Sequence, residues 1–323
     1  MIRTFHKKIF SLNEHHLKIN KFLPGVLFTS IVQIFSGEDC IYHPLRRLIR
    51  FEAYGILFIL AGVFGALLTA SSLNGSLTIL ILFIAASSAF GFVINDISDR
   101  VLDAHSVKPR NPLADGSMTC RTAKGVSALL LVLSLACMAL LPSFLLIEEF
   151  AVLSVFVTYS FFIEAKNIAG LDLVYHALFP ALYGILGYML YHPPDLTGAV
   201  FFVLLGIFGA VGELGNEIRD LEKDRYERKN TVVLMGERPA FFLMITLMGL
   251  AFVIIGIFVW VEPGFFWILP FVPLGLFLIY PVFKSMKEPG FREMFVDVIN
   301  TRAIILATAM LAVYGILRFT GHL

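Results

Sequence analysis

Two stretches of the chain carry the same spaced pattern, an asparagine followed by two aspartates at intervals of four residues. The patterns are Asn95, Asp99 and Asp103, and Asn216, Asp220 and Asp224. Residues four apart lie on one face of a helix, so each pattern projects three oxygen-bearing side chains toward one site. Two such faces opposite one another would form a cage of oxygen ligands. That is the environment a magnesium-bound diphosphate requires.

Further carboxylates lie beside both patterns. Asp96 follows Asn95 directly, and Glu217 lies one residue off the face of the second pattern. Close carboxylates near a membrane repel one another, and a divalent cation relieves this repulsion while it satisfies several oxygen lone pairs. Because the candidate ligands are Asp, Asn and Glu, with no Cys or His among them, we expect magnesium rather than zinc.

Cations suited to phosphate follow each pattern. Lys108 and Arg110 lie on a proline-containing loop after the first pattern. Arginine offers a bidentate fork for phosphate oxygens, and lysine offers a point charge. The plain alternative for either segment is a solvated, charged helix end. Cations also surround the second pattern: Arg219, Arg225, Arg228 and Lys229. Because both patterns have the same spacing and both have neighbouring cations, a shared anionic ligand is favoured over two solvated helix ends.

The composition indicates what must position these side chains. Of 323 residues, 58% are hydrophobic and only 15% are charged, and the mean hydropathy is +0.83. These values favour a polytopic helical protein in a lipid bilayer, and we expect no nucleic-acid partner. Nine apolar stretches are long enough to cross a bilayer. We predict transmembrane helices near 51–72, 76–94, 122–141, 149–165, 170–190, 196–214, 239–260, 264–283 and 299–317.

The distribution of basic residues predicts the orientation. Alternate connections contain no Lys or Arg, namely 72–76, 142–149, 191–196 and 261–264, whereas the N-terminal region and most of the remaining connections are rich in both. By the positive-inside rule the N-terminus is cytoplasmic and the C-terminus lies outside. Both aspartate patterns end even-numbered spans, the second and the sixth. We therefore expect the site to open to the cytoplasm.

The first part of the chain differs from the rest. We interpret residues 1–45 as an N-terminal cytoplasmic or interfacial extension and residues 46–323 as the transmembrane domain. Within the extension, the apolar segment 22–35 is too short for a crossing and is interpreted as interfacial.

The two patterned segments resemble the aspartate-rich motifs of the UbiA family of intramembrane prenyltransferases. The likeness extends over residues ~46–320 through the number of spans and the placement of the motifs after spans two and six. It implies an all-α fold, a polytopic membrane bundle of nine transmembrane helices around a central cavity. The first motif comprises Asn95, Asp96, Asp99 and Asp103 with Lys108, Arg110, Asn111, Pro112 and Leu113, and the second comprises Asn216, Asp220 and Asp224 with Thr231 and Gly236.

The resemblance also implies roles for these residues. The motifs would hold Mg²⁺ and the diphosphate of a polyprenyl donor, whose departure leaves an allylic carbon to be captured by a small-molecule acceptor. The metal ligands would be Asn95, Asp99, Asp103, Asn216, Asp220 and Asp224, and the four aspartates among them are the candidate catalytic residues. Substrate contacts would come from Asn95, Asp96, Lys108, Arg110 and Asn216.

One segment departs from the family pattern. The family often has Tyr-x-x-x-Lys at the end of span four, whereas Tyr159 and Lys166 are seven residues apart. On a continuous helix they would share a face after two turns, so both are kept as substrate-binding candidates. An ordinary membrane anchor is the alternative for Lys166. For Asp172 and His176, four apart in span five, we expect interhelical hydrogen bonds, with acceptor binding or proton removal as the alternative.

Three functions remain open at this point. The run from Asn216 to Asp220 resembles the quinone-forming branches of the family, so an aromatic, quinone-precursor ring is the leading acceptor. The stretch from Ala104 to Gly116 is closer to branches with other acceptors, and a non-aromatic, lipid-type acceptor is the second reading. The third is a cation-coupled transporter. Transporters bind coupling ions near the midplane on interrupted helices, whereas these carboxylates lie beside cations at helix ends, which favours an anionic substrate.

Overall fold

The computed structural model describes residues 43–50, 54–70, 72, 74–104, 111–226, 228–287 and 292–321. From Pro44 onward the chain forms one compact unit. The predictions for residues 1–45, including the interfacial segment 22–35, concern residues outside these ranges, apart from the last three. The α-helices are α1 (His43–Ile49), α2 (Ile56–Thr69), α3 (Gly75–Asp103), α4 (Cys120–Leu140), α5 (Leu146–Val157), α6 (Leu171–Met189), α7 (Leu196–Asp224), α8 (Thr231–Met235), α9 (Glu237–Val261), α10 (Phe271–Lys287) and α11 (Arg292–Phe319).

The predicted class, an all-helical membrane protein, is confirmed. Every regular element in the described ranges is helical, and six helical segments there are long and apolar enough to cross a bilayer. They are Gly75–Asp103, Cys120–Leu140, Ser143–Phe162, Leu196–Asp224, Glu237–Val261 and Val298–Arg318, and α2 is a shorter apolar helix. The exact count of nine transmembrane helices stays a prediction. Large apolar side chains such as Leu129, Ile147 and Trp260 are exposed on the surface, as a lipid-facing wall requires.

The two motif-bearing helices run farther than the predicted spans. Apolar stretches end near residues 94 and 214, but α3 continues to Asp103 and α7 to Asp224. A hydropathy window ends where charges begin, whereas a helix continues as long as its backbone hydrogen bonds do. Both aspartate patterns therefore lie on the last turns of rigid helices, which fixes the spacing of their side chains.

Side-chain caps set where several helices begin. Asn74, Thr119 and Asp195 each accept a hydrogen bond from a backbone N–H in the first turn of α3, α4 and α7. Such caps satisfy N–H groups that have no partner inside the helix. Two connections use the left-handed region that favours glycine: Gly170 before α6 has φ 82° and Gly236 before α9 has φ 85°.

Helices α2 and α6 cross in direct backbone contact. A Cβ at Gly65 would lie 2.0 Å from the carbonyl oxygen of Gly184, and one at Gly187 would lie 1.8 Å from that of Gly62. The hydroxyl of Thr69 donates to the carbonyl of Tyr188 at 3.0 Å across the same crossing. Small residues at a crossing allow this close approach inside a membrane.

The described residues form three apolar cores, two of them large. One large core is built from residues of helices α2 through α6 and includes Phe83, Leu186 and Tyr183. Tyr183 is fully buried, and its hydroxyl oxygen is 2.8 Å from that of Ser87. The other large core joins α7, α8, α9 and α10. The polar cavity described next is lined by side chains of α2, α3, α6 and α7 and of the segment that contains α5.

Candidate active site

The first motif presents its side chains from the C-terminal turns of α3. Asn95 donates to Asp99 at 3.4 Å, as expected for residues four apart on one face. Asp99 is buried and forms an ion pair with Lys166, which is itself buried. A second cation, Arg228, reaches the other oxygen of Asp99 at 3.0 Å. Asp99 is therefore the most heavily paired carboxylate of this motif among the residues the structure describes.

The second motif lies on the C-terminal turns of α7. Asn216 accepts a hydrogen bond from the Tyr54 hydroxyl at 3.1 Å. Asp220 accepts two hydrogen bonds from the neighbouring Arg219, at 2.8 and 3.0 Å, and its side chain is 46% exposed. Asp224 is buried and accepts a hydrogen bond from Asn230 at 2.9 Å.

Two cations join the motifs across the gap between α3 and α7. Arg228 lies 3.0 Å from Asp99 and 3.9 Å from Asp224, and Lys223 donates to Asp103 at 2.8 Å. Burial alone would lower the pKa of the Arg228 guanidinium, but the charges of Asp99 and Asp224 outweigh burial and raise that pKa. The structure thus brings Asp99 and Asp103 of one motif toward Asp224 of the other.

A cavity of about 180 Å³ opens between these helices. Four motif residues line it: Asn95 from α3, and Asn216, Asp220 and Asp224 from α7. Asp99 and Asp103 lie behind this lining, in the ion pairs described above. Residues of both motifs therefore line the cavity, one from α3 and three from α7.

The cavity wall has two layers. The polar layer comprises Tyr54, Asn95, Tyr159, His176 and Asn216, and Glu213 lines the cavity one turn before Asn216. An aromatic layer lies about one helical turn farther from the motifs, because each of its residues is three or four positions from a residue of the polar layer. It comprises Phe58, Phe92, Phe156 and Phe179. In that layer the rings of Phe156 and Phe179 stack at 4.5 Å, and those of Phe58 and Phe92 at 6.2 Å. An amphiphile with an anionic head and an apolar tail matches this division.

Asp96 does not line the cavity. Its side chain is fully buried and pairs with Arg50, which does line it. Asn111 donates to the backbone carbonyl of Asp96 at 2.8 Å and to the Asp103 carboxylate at 3.1 Å, and so ties the following loop to α3. In this arrangement Asp96 acts on the cavity through the position of Arg50.

The end of the fourth predicted span differs from a continuous helix. After Val157 the helix widens to a π-helical turn over Thr158–Phe162, and Glu164 is left-handed with φ 49°. The inference that Tyr159 and Lys166 share one helical face is therefore wrong, because the helix ends between them. Both still reach the site by separate routes: Tyr159 lines the cavity and Lys166 pairs with Asp99. Lys108 and Arg110 lie outside the described residues.

A magnesium ion requires several hard oxygen donors. Among the described residues, no three His, Cys, Asp or Glu side chains stand together in ligating geometry, because cations and amides hold the carboxylates instead. The buried Oδ1 of Asn95 has no hydrogen-bond partner and lies on a residue that lines the cavity. The side chains around the cavity's mouth offer hard oxygen atoms, so their chemistry fits Mg²⁺.

Two residues of the sixth helix have separate roles in the structure. Asp172 accepts hydrogen bonds from the backbone N–H of Thr231, at 2.6 Å, and from its hydroxyl, and so links α6 to α8. This is the interhelical bond expected of Asp172. His176 also makes the expected interhelical contact: it lines the cavity, and its Nε2 atom lies 3.0 Å from the Glu213 carboxylate on α7. Sequence reasoning missed Glu213, although a carboxylate inside an apolar run is itself a signal of function.

Comparisons with known proteins agree with this geometry. The sequence profile of the UbiA prenyltransferase family matches residues 56–295. A 4-hydroxybenzoate octaprenyltransferase of Chromohalobacter salexigens is 38% identical over 91 residues, 27% of this chain, and the match spans only 30% of that relative's length.

Solved structures share the fold at low sequence identity. A UbiA homologue from Archaeoglobus fulgidus, bound to GPP and Mg²⁺, superposes with a TM-score of 0.66 at 20% identity, over 83% of this chain and 99% of that one. A digeranylgeranylglyceryl phosphate synthase superposes with a TM-score of 0.59 at 19% identity, over 82% and 97% of the two chains. Since the family profile covers most of the chain, this integral membrane protein belongs to the UbiA prenyltransferase family.

Proposed function

We propose that this protein transfers a prenyl group from a prenyl diphosphate to a small-molecule acceptor with the help of Mg²⁺. The observation that carries the proposal is the cavity between α3 and α7. Residues of both aspartate motifs line this cavity, and the aromatic side chains of Phe58, Phe92, Phe156 and Phe179 line it beside them. The A. fulgidus relative with GPP and Mg²⁺ supports the same pairing of donor and ion.

The proposed ligands of the ion are the amide and carboxylate oxygens of the two motifs: Asn95, Asp99, Asp103, Asn216, Asp220 and Asp224. Mg²⁺, when bound, supplies positive charge that offsets the charge growing on the departing diphosphate. Lys166 and Arg228 already lie against Asp99, so they add positive charge at the same place. Lys108 and Arg110 are proposed as further diphosphate contacts on the basis of the sequence. Cations fixed in advance lower the barrier because they need not reorganise during the reaction.

The transfer itself breaks the bond between C1 of the prenyl group and the diphosphate oxygen. The electron pair leaves with the diphosphate, and the allylic carbon, now carbocation-like, bonds to the acceptor, which gives up a proton. Phe58, Phe92, Phe156 and Phe179 line the apolar part of the cavity, next to the polar layer. Rings in this position exclude water, which would otherwise capture the cation and waste the donor.

An aromatic ring of the quinone-precursor type is the proposed acceptor. The 4-hydroxybenzoate octaprenyltransferase relative supports it. The structural likeness to a digeranylgeranylglyceryl phosphate synthase favours the second candidate, a lipid-type glyceryl phosphate. The chain is proposed to lie in the membrane with its N-terminus in the cytoplasm and its site open to that side, because basic residues cluster in alternate connections.

The test uses the full chain in detergent or in vesicles with geranyl diphosphate and Mg²⁺. We expect magnesium-dependent release of diphosphate together with a prenylated product when 4-hydroxybenzoate or a glyceryl phosphate ether is supplied. The acceptor that yields the product separates the two candidates. Cation flux across the vesicle membrane with the donor left intact would refute prenyl transfer and establish the transporter reading instead.

A further inference from the structure

Glu213 is a buried carboxylate in the cavity wall that the proposed mechanism does not use. It lies on α7, three residues before Asn216 and therefore about 4.5 Å deeper along the helix. Its residue surface is only 8% exposed, and it lines the cavity. Charged groups at such depth are costly and are kept where they have a function.

His176 fixes one oxygen of this carboxylate. The Nδ1 atom of His176 is 3.1 Å from the backbone carbonyl of Asp172, and a carbonyl only accepts, so Nδ1 carries a hydrogen. The Nε2 atom is 3.0 Å from Oε2 of Glu213, and one proton bridges that contact. Asn216 donates to the same Oε2 at 3.3 Å. Oε2 therefore has two partners, and the carboxyl plane is held from two helices.

Local packing keeps His176 in this position. Pro180, four residues later, has no N–H, so the carbonyl of His176 lacks its helical partner. Gly209 of α7 packs against that carbonyl, where a Cβ would come within 2.1 Å of the oxygen. The rings of Tyr159 and Phe179 stand edge-on to the imidazole at 5.2 and 5.3 Å.

The second oxygen of Glu213, Oε1, makes no hydrogen bond to any residue that the structure describes. An acceptor-only oxygen in a cavity wall needs a hydrogen-bond donor, and it repels a carboxylate or phosphate. The neighbouring rings of Phe156, Tyr159 and Phe179 offer stacking and edge contacts to a planar group. A ring that bears a hydroxyl satisfies both requirements.

We propose that Glu213 binds the acceptor through the acceptor's hydroxyl group and that His176 is its positioning residue. The proposal rests on prenyl transfer as the function and narrows the acceptor to a phenol. The phenol would enter with its hydroxyl toward Glu213 and any acidic group directed elsewhere. No electron or atom transfer is assigned to Glu213, whose role is recognition.

The test compares 4-hydroxybenzoate with 4-methoxybenzoate, which cannot donate this hydrogen bond. Their binding constants are measured on the full chain in detergent, with Mg²⁺ and inorganic diphosphate present and no prenyl donor, so that no turnover occurs. Hydrogen bonds to a charged group lead us to expect the wild type to bind the hydroxyl compound about tenfold more tightly. In Glu213→Leu and, more weakly, in Glu213→Gln, this preference should shrink. A general structural defect would weaken the binding of both compounds equally and leave the ratio of their binding constants unchanged.

Matched variants separate the roles. His176→Leu should lose much of the preference, and His176→Gln, whose amide still donates, should retain more of it. Glu262→Leu, an exposed glutamate outside the cavity, should behave as wild type. An unchanged ratio in the Glu213 variants, or a wild type that does not discriminate between the compounds or binds neither, overturns the assignment even when diphosphate release is normal. Failure of the wild type to release diphosphate overturns the proposed function and this inference with it.

Discussion

Asp99 and Asp220 occupy equivalent positions in the two motifs, yet the structure predicts that their removal has different consequences for stability. Asp99 is 6% exposed and pairs with Lys166, which is 5% exposed, and with Arg228. Asp220 has a side chain that is 46% exposed and pairs with its neighbour Arg219. We expect both Asp99→Ala and Asp220→Ala to abolish turnover, because each removes a proposed oxygen ligand of the ion.

The stability cost follows from burial. Removal of one partner from a buried ion pair leaves the other charge uncompensated and costs about 3–5 kcal/mol. An exposed pair contributes only about 0–1 kcal/mol. Asp99→Ala should therefore lower the free energy of unfolding by about 3–5 kcal/mol, and Asp220→Ala by about 1 kcal/mol or less. Loss of charge stabilisation in the transition state should reduce diphosphate release by at least about a hundredfold in each variant.

The assay has two readouts on each purified variant. Unfolding in detergent gives the stability, and magnesium-dependent release of diphosphate from geranyl diphosphate gives the turnover. Asp115→Ala is the control, since Asp115 pairs with Arg47 at 2.6 Å outside both motifs and should keep wild-type turnover. Near-normal turnover in both motif variants would refute the mechanism. Equal losses of stability in the two would refute the argument from burial.

The remaining predictions concern Lys166, the α2–α6 crossing, the α6–α8 link and the Mg²⁺ ion. Lys166→Met leaves Arg228 as the remaining ion-pair partner of Asp99 among the described residues and should slow diphosphate release at least about tenfold, measured beside wild type. Gly187→Ala places a methyl group against a backbone oxygen and should destabilise the protein by about 1–3 kcal/mol in detergent unfolding, and an unchanged midpoint would contradict the contact. Asp172→Ala leaves the backbone N–H of Thr231 without its acceptor and should cost about 1–3 kcal/mol in the same measurement. Chelation of Mg²⁺ should abolish turnover, and diphosphate release that persists in chelator would argue against a magnesium site. In the presence of Mg²⁺, geranyl diphosphate at a hundred times its Kd should raise the free energy of unfolding by about 2.7 kcal/mol.

The helical periodicity of the motifs was enough to predict which helices carry the site. Side chains four residues apart share a face whatever the tertiary fold, so Asn95 and Asp99 could be placed together from the sequence alone. Apolar length likewise predicted the membrane class. The ends of α3 and α7 could not be predicted in this way, because hydropathy reports the extent of the bilayer and not the extent of the helix.

Other features depend on local backbone geometry that the sequence does not display. The π-helical turn at Thr158–Phe162 and the left-handed Glu164 redirect the chain just before Lys166, which pairs with Asp99. Glu213 and His176 are far apart in sequence and meet only because α6 and α7 pack side by side. A lone glutamate in an apolar run could have been flagged, but its partner could not have been named.

The crossing of α2 and α6 has a consequence for how this protein could diversify. At this crossing the two helices are in contact through backbone atoms, so backbone atoms and not side chains set their separation. The contacts involve Gly62, Gly65, Gly184 and Gly187. The inner surfaces of the same two helices carry the side chains that a substrate would meet. Substitutions at those inner positions can therefore change which substrates bind, while the distance between the two helices stays constant. Selection for new substrates would then act on the lining and spare the glycines.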